Sequence, residues 1–370
     1  MKKVIIFGAT GSIGSTCLAA IKNKQLPIDV VAMSANSNFE KLENIAISFN
    51  IKNLILTNSK HTNSDFNYFS NISHLLDQIK CDVILNGVAG FDGLKITIEA
   101  LNHGIDVALA NKESVVAGGA FIFELAKKNN CQIIPVDSEH SAIKALIDAH
   151  HRENVKSLII TASGGPFRQL VKSEFKNITV AKALNHPTWK MGKKITIDSS
   201  TLANKALEVI EASYLFDFAP KDIEVSIHPQ SIVHSMVRLF DGSIYSQMGT
   251  PNMSLPIIEG IFNEYSKIEL VKPLDFSSLS LTFENPDYEK FPLLKLAYDI
   301  LEIKQGYPIA FNAANEEAVY AFLAEKISYL QLQDIVIRTL ESDFDNNITC
   351  FEDILEIDQR ARVIAKSYIS

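Results

Sequence analysis

Several things are scarce in this sequence, and each scarcity excludes something. No apolar run approaches the ~20 residues needed to cross a bilayer; runs such as 4–7 and 83–85 are far shorter. No membrane partner is therefore expected. Lys2 and Lys3 precede an apolar stretch that breaks at Gly8 after four residues, below the ~7–15 of a signal core, so no secretory leader is expected. No basic run occurs and the formal net charge is -8, which disfavours a nucleic-acid partner electrostatically. Cysteine is limited to Cys17, Cys81, Cys131 and Cys350, widely spaced and without a CxxC pair. Buried free thiols in a reducing cytoplasm are the expectation. There is no internal repeat and a single tryptophan, Trp189.

What is present is ordinary globular composition, 47% hydrophobic and 21% charged over 370 residues. That length exceeds the roughly 250–300 residues at which single cores stop growing, so two or three domains are expected. From 3 to 136 short β-rich apolar runs (3–7, 30–33, 54–56, 83–86, 106–108 and 132–136) alternate with helical stretches. That alternation predicts a doubly wound parallel sheet in a domain spanning 1–136. Strands at 157–161, 224–227, 234–239 and 243–248, the last two joined by Asp241-Gly242, predict a mixed or antiparallel sheet in a second, α+β catalytic domain over 137–263. Residues 264–288, with Pro273, Ser277, Ser278, Asn285 and Pro286, read as an extended linker. Beyond it, Leu293, Leu294, Ala297, Ile300 and Leu301 share a helical face, as do Ala314, Ala318 and Phe322, and a C-terminal helical bundle over 289–370 follows.

The first strand ends in GATGSIG at 8–14 and runs into a helix. Glycines there let the backbone approach a pyrophosphate, whose charge a helix N-terminus favours, as in Rossmann-like domains. The spacing is GxxGxxG rather than GxGxxG; a glycine-rich βα turn with no ligand is the alternative. NAD-selective sites place an Asp or Glu at the end of the second strand. Here that position reads Ser34-Ala35-Asn36, with no carboxylate and no cation. Ser34 and Asn36 are either donors to a 2′-phosphate or an ordinary polar turn.

Asp137-Ser138-Glu139 follows a strand at the sheet edge where open α/β sheets bind ligands. Hard oxygen donors suit Mg²⁺ or Mn²⁺; an acidic helix cap is the alternative. In Asp198-Ser199-Ser200-Thr201 the hydroxyls read as caps of a helix on which Asn204, Lys205 and Glu208 share a face. The alternative there is a simple Lys205–Glu208 ion pair. Ser163-Gly164-Gly165 ends a strand in a turn that frees N–H groups and a hydroxyl for an anion. The run His186-Pro187-Thr188-Trp189-Lys190-Met191-Gly192 reads either as a lid near 186–193 or as a surface loop with Trp189 docked in the core.

Taken together, GATGSIG, ALANKES at 108–114, PVDSEHSAI at 135–143, TASGGPF at 161–167, HPTWKMG at 186–192, DSSTLANKALEVIEA at 198–212, IHPQSIVHSMV at 227–237 and NAANE at 312–316 resemble the 1-deoxy-D-xylulose 5-phosphate reductoisomerase family in content and order. The resemblance covers nearly the whole chain. It implies a homodimer, with its interface in the second domain, that converts this sugar phosphate to 2-C-methyl-D-erythritol 4-phosphate in the non-mevalonate isoprenoid route. It also implies NADPH and Mg²⁺, Mn²⁺ or Co²⁺ as cofactors, and inhibition by fosmidomycin-like hydroxamates. By motif, Asp137, Glu139 and Glu208 would be metal ligands. Ser163, Ser199, Asn204 and Lys205 would hold the phosphate, with His186 and Trp189 from the lid. Ser138 and Lys112 would contact the substrate's hydroxyl and carbonyl end, and Lys112, Glu139 and His186 would be catalytic. Thr10, Gly11, Ser12, Ile13, Asn111, Glu113 and Gly192 would line the dinucleotide. The chain departs from the family at Ser34-Ala35-Asn36, where many members carry a glycine and a basic residue. The rival readings are another two-domain NAD(P) dehydrogenase, of the semialdehyde or homoserine kind, and a dinucleotide-sensing protein without chemistry.

Overall fold

The structure, a computed structural model, describes residues 1–189, 191–303 and 306–369. Lys190 of the tryptophan-bearing motif lies outside them. In chain order the first elements are β1 (Lys2–Phe7), α1 (Ser12–Lys24), β2 (Ile28–Ala35), α2 (Phe39–Phe49), β3 (Asn53–Leu56), β4 (Asn67–Phe69), α3 (Ile72–Gln78), β5 (Val83–Asn86), α4 (Asp92–Asn102), β6 (Asp106–Leu109), α5 (Lys112–Lys128), β7 (Ile133–Pro135) and α6 (Ser138–His150). Then come β8 (Val155–Ala162), α7 (Val180–Ala183), α8 (Lys193–Ser200), α9 (Ala203–Phe216), β9 (Ile223–Ile227), β10 (Val233–Leu239), β11 (Ile244–Met248) and α10 (Ser254–Phe262). Four helices close the chain: α11 (Pro292–Ile303), α12 (Tyr307–Leu323), α13 (Tyr329–Thr339) and α14 (Phe351–Ser367).

The chain divides into two compact units. The first takes Met1–Ser114, Ile122–Ser141 and Asn252–Pro273; the second takes Val115–Phe121, Ala142–Pro251 and the described residues from Leu274 onward. In the first unit seven strands form one sheet in the order β4-β3-β2-β1-β5-β6-β7, with all pairs parallel. The doubly wound sheet expected from the alternation is what forms. Its central strand explains why: Val4, Ile5, Ile6 and Phe7 are all fully buried, as a parallel strand covered on both faces requires. The strand order reverses between β1 and β5, and the β1 turn is GATGSIG, so the glycine loop sits at the topological switch point. β4 has only three residues and no apolar alternation, which is why the pattern did not reveal it.

In the second unit β11-β10-β8-β9 form a mixed sheet: β10 is antiparallel to both β8 and β11, and β9 is parallel to β8. The Asp241-Gly242 hairpin is there, closed by Ser243 N–H donating to Asp241 Oδ1 at 2.8 Å. The C-terminal helices form as expected. Within this unit α11 packs on α9, and α12 packs on α8, α13 and α14. Phe167, Phe175, Phe322 and Tyr329 interlock at ring separations of 5.3–6.4 Å, each favourable pair adding ~0.5–1.5 kcal/mol beyond its burial. Arg362 on α14 binds Glu316 and Glu317 of α12 and Asp358 of its own helix, and against the lowering effect of burial Asp358 and Glu316 raise its pKa.

Two of the expected boundaries fall elsewhere. Helix α10, placed before residue 263 in the second domain, belongs to the first unit because Ile257, Ile258 and Ile261 complete the core with Val4, Met33, Leu85 and Val136. The helices expected as a separate C-terminal domain join the second unit, since α8 and α9 need their apolar faces covered. Residues 264–288 are irregular apart from a turn of 3₁₀ helix at Phe276–Ser278, and Glu284 bridges to Ile227.

Candidate functional site

In the first unit the glycine loop is held from beneath. Ser34, almost fully buried at the end of β2, accepts the Gly8 N–H on its Oγ at 2.9 Å, and its carbonyl accepts the Ala9 N–H at 2.9 Å. Its side chain therefore braces the loop. Asn36 is exposed, and its Oδ1 accepts from Thr57 Oγ1 at 3.4 Å. Gly14 is needed for close approach: a Cβ there would lie 2.5 Å from Ala9 Cα. At the start of α1 the N-cap is Gly11, which makes no side-chain cap. The first-turn N–H groups are thus offered outward beside Thr10, Ser12 and Ile13, which an anion can use.

Asn111 caps α5. Its Oδ1 accepts the Ser114 N–H at 2.9 Å while its Nδ2 donates to the Gly90 carbonyl and to Glu113 Oε2, both at 2.9 Å. Both residues are buried. Lys112, next in the chain, places its Nζ 2.5 Å from Asp137 Oδ2. Asp137 immediately precedes α6, Ser138 and Glu139 open it, and the Ser138 hydroxyl donates to Glu139 Oε2 at 2.5 Å. The structure therefore brings Lys112, Asp137, Ser138 and Glu139 to neighbouring helix starts at the ends of β6 and β7.

The second unit gathers the other residues. His186 Nδ1 accepts the backbone N–H groups of Thr188 at 3.2 Å and Trp189 at 2.9 Å. Two donors on Nδ1 fix the neutral tautomer, so the ring proton is on Nε2. That nitrogen lies 3.1 Å from Ser163 Oγ and 3.1 Å from Ser199 Oγ. Burial pushes the His186 pKa down, so the imidazole stays neutral near pH 7. Trp189 itself is half-buried, and Gly192, the N-cap of α8, is exposed, where an added Cβ would meet nothing among the described residues within 4 Å. On α9, Asn204 and Lys205 both donate to the Glu208 carboxylate, and Lys205 Nζ also donates to the Thr161 carbonyl at 2.6 Å. Lys205 and Glu208 are buried. A hydroxyl pair bridged by an imidazole, an amide and a buried ammonium are donors suited to a phosphate.

One expectation is corrected. Ser199, Ser200 and Thr201 do not cap α9: the two serines end α8, and the N-cap is Leu202 at φ 58°, with no side-chain cap. Two of the three hydroxyls are instead bound back along α8, Ser200 Oγ donating to the Ile197 carbonyl and Thr201 Oγ1 to that of Asp198, while Ser199 Oγ faces His186. Only Thr201 contributes at the start of α9, accepting the Ala203 N–H at 3.3 Å.

Sequence reading gave no role to the residues that hold this junction. Asp198 is buried against Lys194 at 2.8 Å and accepts from Asn315 Nδ2 at 2.8 Å, and the Tyr329 hydroxyl donates to the Ser200 carbonyl at 2.5 Å. The available signal was the polar residues Asn312, Asn315 and Glu316 in a largely apolar helix. All three are buried, and a buried polar side chain signals a partner elsewhere in the fold, as Asn315 has in Asp198.

A glycine loop at the switch point of a doubly wound sheet, with a separate α+β unit carrying a phosphate-type donor set, defines the dinucleotide-binding α/β enzymes with an added catalytic unit. Within that class, the family model of 1-deoxy-D-xylulose 5-phosphate reductoisomerase matches residues 4–119 and that of its C-terminal domain residues 133–216. A model of the DXP reductoisomerase C-terminal domain matches 248–364. The 1-deoxy-D-xylulose 5-phosphate reductoisomerase of Treponema denticola is 42% identical over 370 residues, covering 100% of this chain and 97% of the relative. That of Clostridium novyi is also 42% identical, covering 99% of each. The solved enzyme from Zymomonas mobilis in complex with NADPH superposes with a TM-score of 0.91 at 37% identity, covering 100% of this chain and 99% of that one. A DOX-P reductoisomerase in complex with NADPH, fosmidomycin and magnesium superposes at 0.90 and 37%, covering 100% and 98%. The chain belongs to the 1-deoxy-D-xylulose 5-phosphate reductoisomerase family.

Proposed function

We propose that this protein converts 1-deoxy-D-xylulose 5-phosphate to 2-C-methyl-D-erythritol 4-phosphate, with NADPH and Mg²⁺ or Mn²⁺ as cofactors, in isoprenoid precursor synthesis. The observation that carries this is the ordered match of family models along the chain together with full-length relatives of that name. The residues fit both groups. The uncapped start of α1 suits a pyrophosphate, and Asp137, Glu139 and Glu208 are hard oxygen donors that would hold the cation. When bound, the dinucleotide supplies a hydride and the cation supplies Lewis acidity at the substrate's carbonyl and hydroxyl oxygens.

The chain's own residues do the positioning. Ser163, Ser199, Asn204 and Lys205 bind the phosphate, and neutral His186 keeps the two serine hydroxyls together. Phosphate binding, remote from the reacting carbons, supplies energy for orienting the substrate. Lys112 places a positive charge where alkoxide character develops, with Ser138 and Glu139 beside it. The test is NADPH consumption with 1-deoxy-D-xylulose 5-phosphate, abolished by EDTA and restored by Mn²⁺. Consumption indifferent to chelation would point to an ordinary dehydrogenase, and none at all would remove the assignment.

Trp189 covers the bound substrate in this reading. Its backbone, not its indole, bonds His186, so Trp189→Ala leaves the imidazole in place and removes only the cover. The expected result is a several-fold higher KM or lower kcat with an unchanged melting curve, and in the wild type a change of indole emission on adding substrate. Wild-type kinetics in the variant together with unchanged emission would make Trp189 a packing residue.

A homodimer, the assembly the resemblance implies, is supported by β11. This edge strand exposes Ile244, Tyr245 and Met248, with Phe240 in the adjoining turn 70% exposed. An uncovered apolar edge is a template for pairing with another copy. Light scattering is expected to give a dimer mass for the wild type and a monomer for Tyr245→Lys with Met248→Lys; a monomeric wild type would refute the assembly. Cytoplasmic residence is supported by four free cysteines, with Cys17 and Cys131 buried. Among the described residues no helix is long and apolar enough to cross a membrane.

A further inference from the structure

The turn after β2 brings no charged side chain to the place where a dinucleotide's adenosine ribose is usually read. Ser34 is occupied beneath the loop, and Asn36 carries no charge. The cation arrives one helical turn later. Asn38 caps α2 by accepting the Lys41 N–H at 3.0 Å, which makes Lys41 the third residue of the helix. From there its side chain turns back to the glycine loop, and Nζ lies 2.7 Å from the carbonyl oxygen of Thr10. Lys41 is exposed, and among the described residues it makes no ion pair. A full positive charge therefore stands on the GATGSIG loop opposite only a carbonyl dipole. The acidic neighbours are Glu40, in the same first turn, and Glu43. Glu43 is engaged elsewhere: it accepts from the Tyr68 hydroxyl at 2.7 Å and lies 3.1 Å from His61 Nε2.

We propose that Lys41 holds the adenosine 2′-phosphate of NADPH and sets the preference for NADPH over NADH. This rests on the dinucleotide reading of the loop given above. The ammonium is a compact point charge on a flexible stem. Exchanging the neutral Thr10 carbonyl for a phosphate dianion strengthens its hydrogen bond, and the N-terminal end of α2 adds to the attraction. NADH has a hydroxyl at that position and gains nothing from the charge. Lys41 thus does the work that a basic residue at 34–36 does in many family members.

The test uses the full-length protein and one readout that needs no turnover. Calorimetry with 2′,5′-ADP and with 5′-AMP is compared for wild type, Lys41→Ala and Lys41→Arg, followed by kcat/KM for NADPH and NADH. Lys41→Ala is expected to weaken 2′,5′-ADP by about 10-fold or more, the loss of a charge-assisted hydrogen bond. It should leave 5′-AMP unchanged and lower the NADPH to NADH ratio by a similar factor, while Lys41→Arg retains most of the preference. Unchanged kinetics with NADH show that the variant is folded. Equal losses with both dinucleotides would make Lys41 a brace for the loop through Thr10, and 2′,5′-ADP affinity unaltered in Lys41→Ala would equally overturn the proposal. A wild-type chain that binds no 2′,5′-ADP and oxidises no NADPH would instead remove the dinucleotide reading, and the role of Lys41 with it.

Discussion

Glu208→Gln is expected to lower kcat/KM by about 10-fold or more, equivalent to at least ~1.4 kcal/mol of transition-state stabilisation, and to raise the Mn²⁺ concentration needed for half-maximal rate. Glutamine keeps the size of the side chain but only one of the two acceptor oxygens, since Asn204 donates to Oε1 and Lys205 to Oε2. It removes the charge. A rival account makes Glu208 no more than the buried partner of Lys205, and the two accounts separate cleanly. Loss of a buried partner costs stability, up to ~3–5 kcal/mol when a charge is stranded, but leaves the surviving folded molecules with wild-type turnover and metal dependence. Loss of a metal ligand shifts the Mn²⁺ titration itself. The measurement is therefore rate against Mn²⁺ concentration, normalised to folded protein. A folded variant that titrates and turns over like the wild type would remove Glu208 from the metal site. Asn204→Ala, on the same helix face, should appear mainly in KM if Asn204 has the phosphate role proposed for it.

Gly165→Ala should be the most damaging small change in the second unit. Gly165 adopts φ +68°, and an added Cβ would lie 2.5 Å from the Ser199 carbonyl oxygen. The backbone conformation alone costs an L-residue ~1–2 kcal/mol. The clash adds to it, because the end of α8 is tied down by Asn315–Asp198 and Tyr329–Ser200 and cannot retreat freely. The expected outcome is a loss of ~2 kcal/mol or more in denaturant unfolding. The KM for the sugar phosphate should also rise about 10-fold or more, since Ser163 and Ser199 are forced apart and His186 can no longer bridge them. Wild-type stability with a wild-type KM would show that the turn relaxes without moving Ser163 or Ser199.

Much of this was legible along the chain. Strands such as β1 and β5 declare themselves because a parallel strand buried on both faces must be a continuous apolar run bounded by turn residues. The hairpin at Asp241-Gly242 and the glycine loop are local chemistry, set by residues a few positions apart. The motifs from GATGSIG to NAANE carry the family because their content and order are properties of the sequence. Less legible was anything in which a local rule and a distant partner competed. Ser199-Ser200-Thr201 has the composition of a cap, yet burial of Ile197 and Asp198 extends α8 through the serines, and the hydroxyls of Ser200 and Thr201 turn back along that helix. Ser34 and Asn36 stand where specificity is usually read, yet the loop above claims the hydroxyl of Ser34.

The sequence by itself determined the elements, the class of sheet, the glycine loop and the family, because each depends on side-chain periodicity or on residues near one another in the chain. Only the tertiary structure decided which residues support those features. It joined α10 to the first sheet, tied Asp198 to Asn315 across 117 positions and Ser200 to Tyr329 across 129, and turned Lys41 onto Thr10. The physical reason is that a buried polar group must find a partner wherever packing places one. That partner is chosen by the geometry of the closed core, which no window along the chain contains.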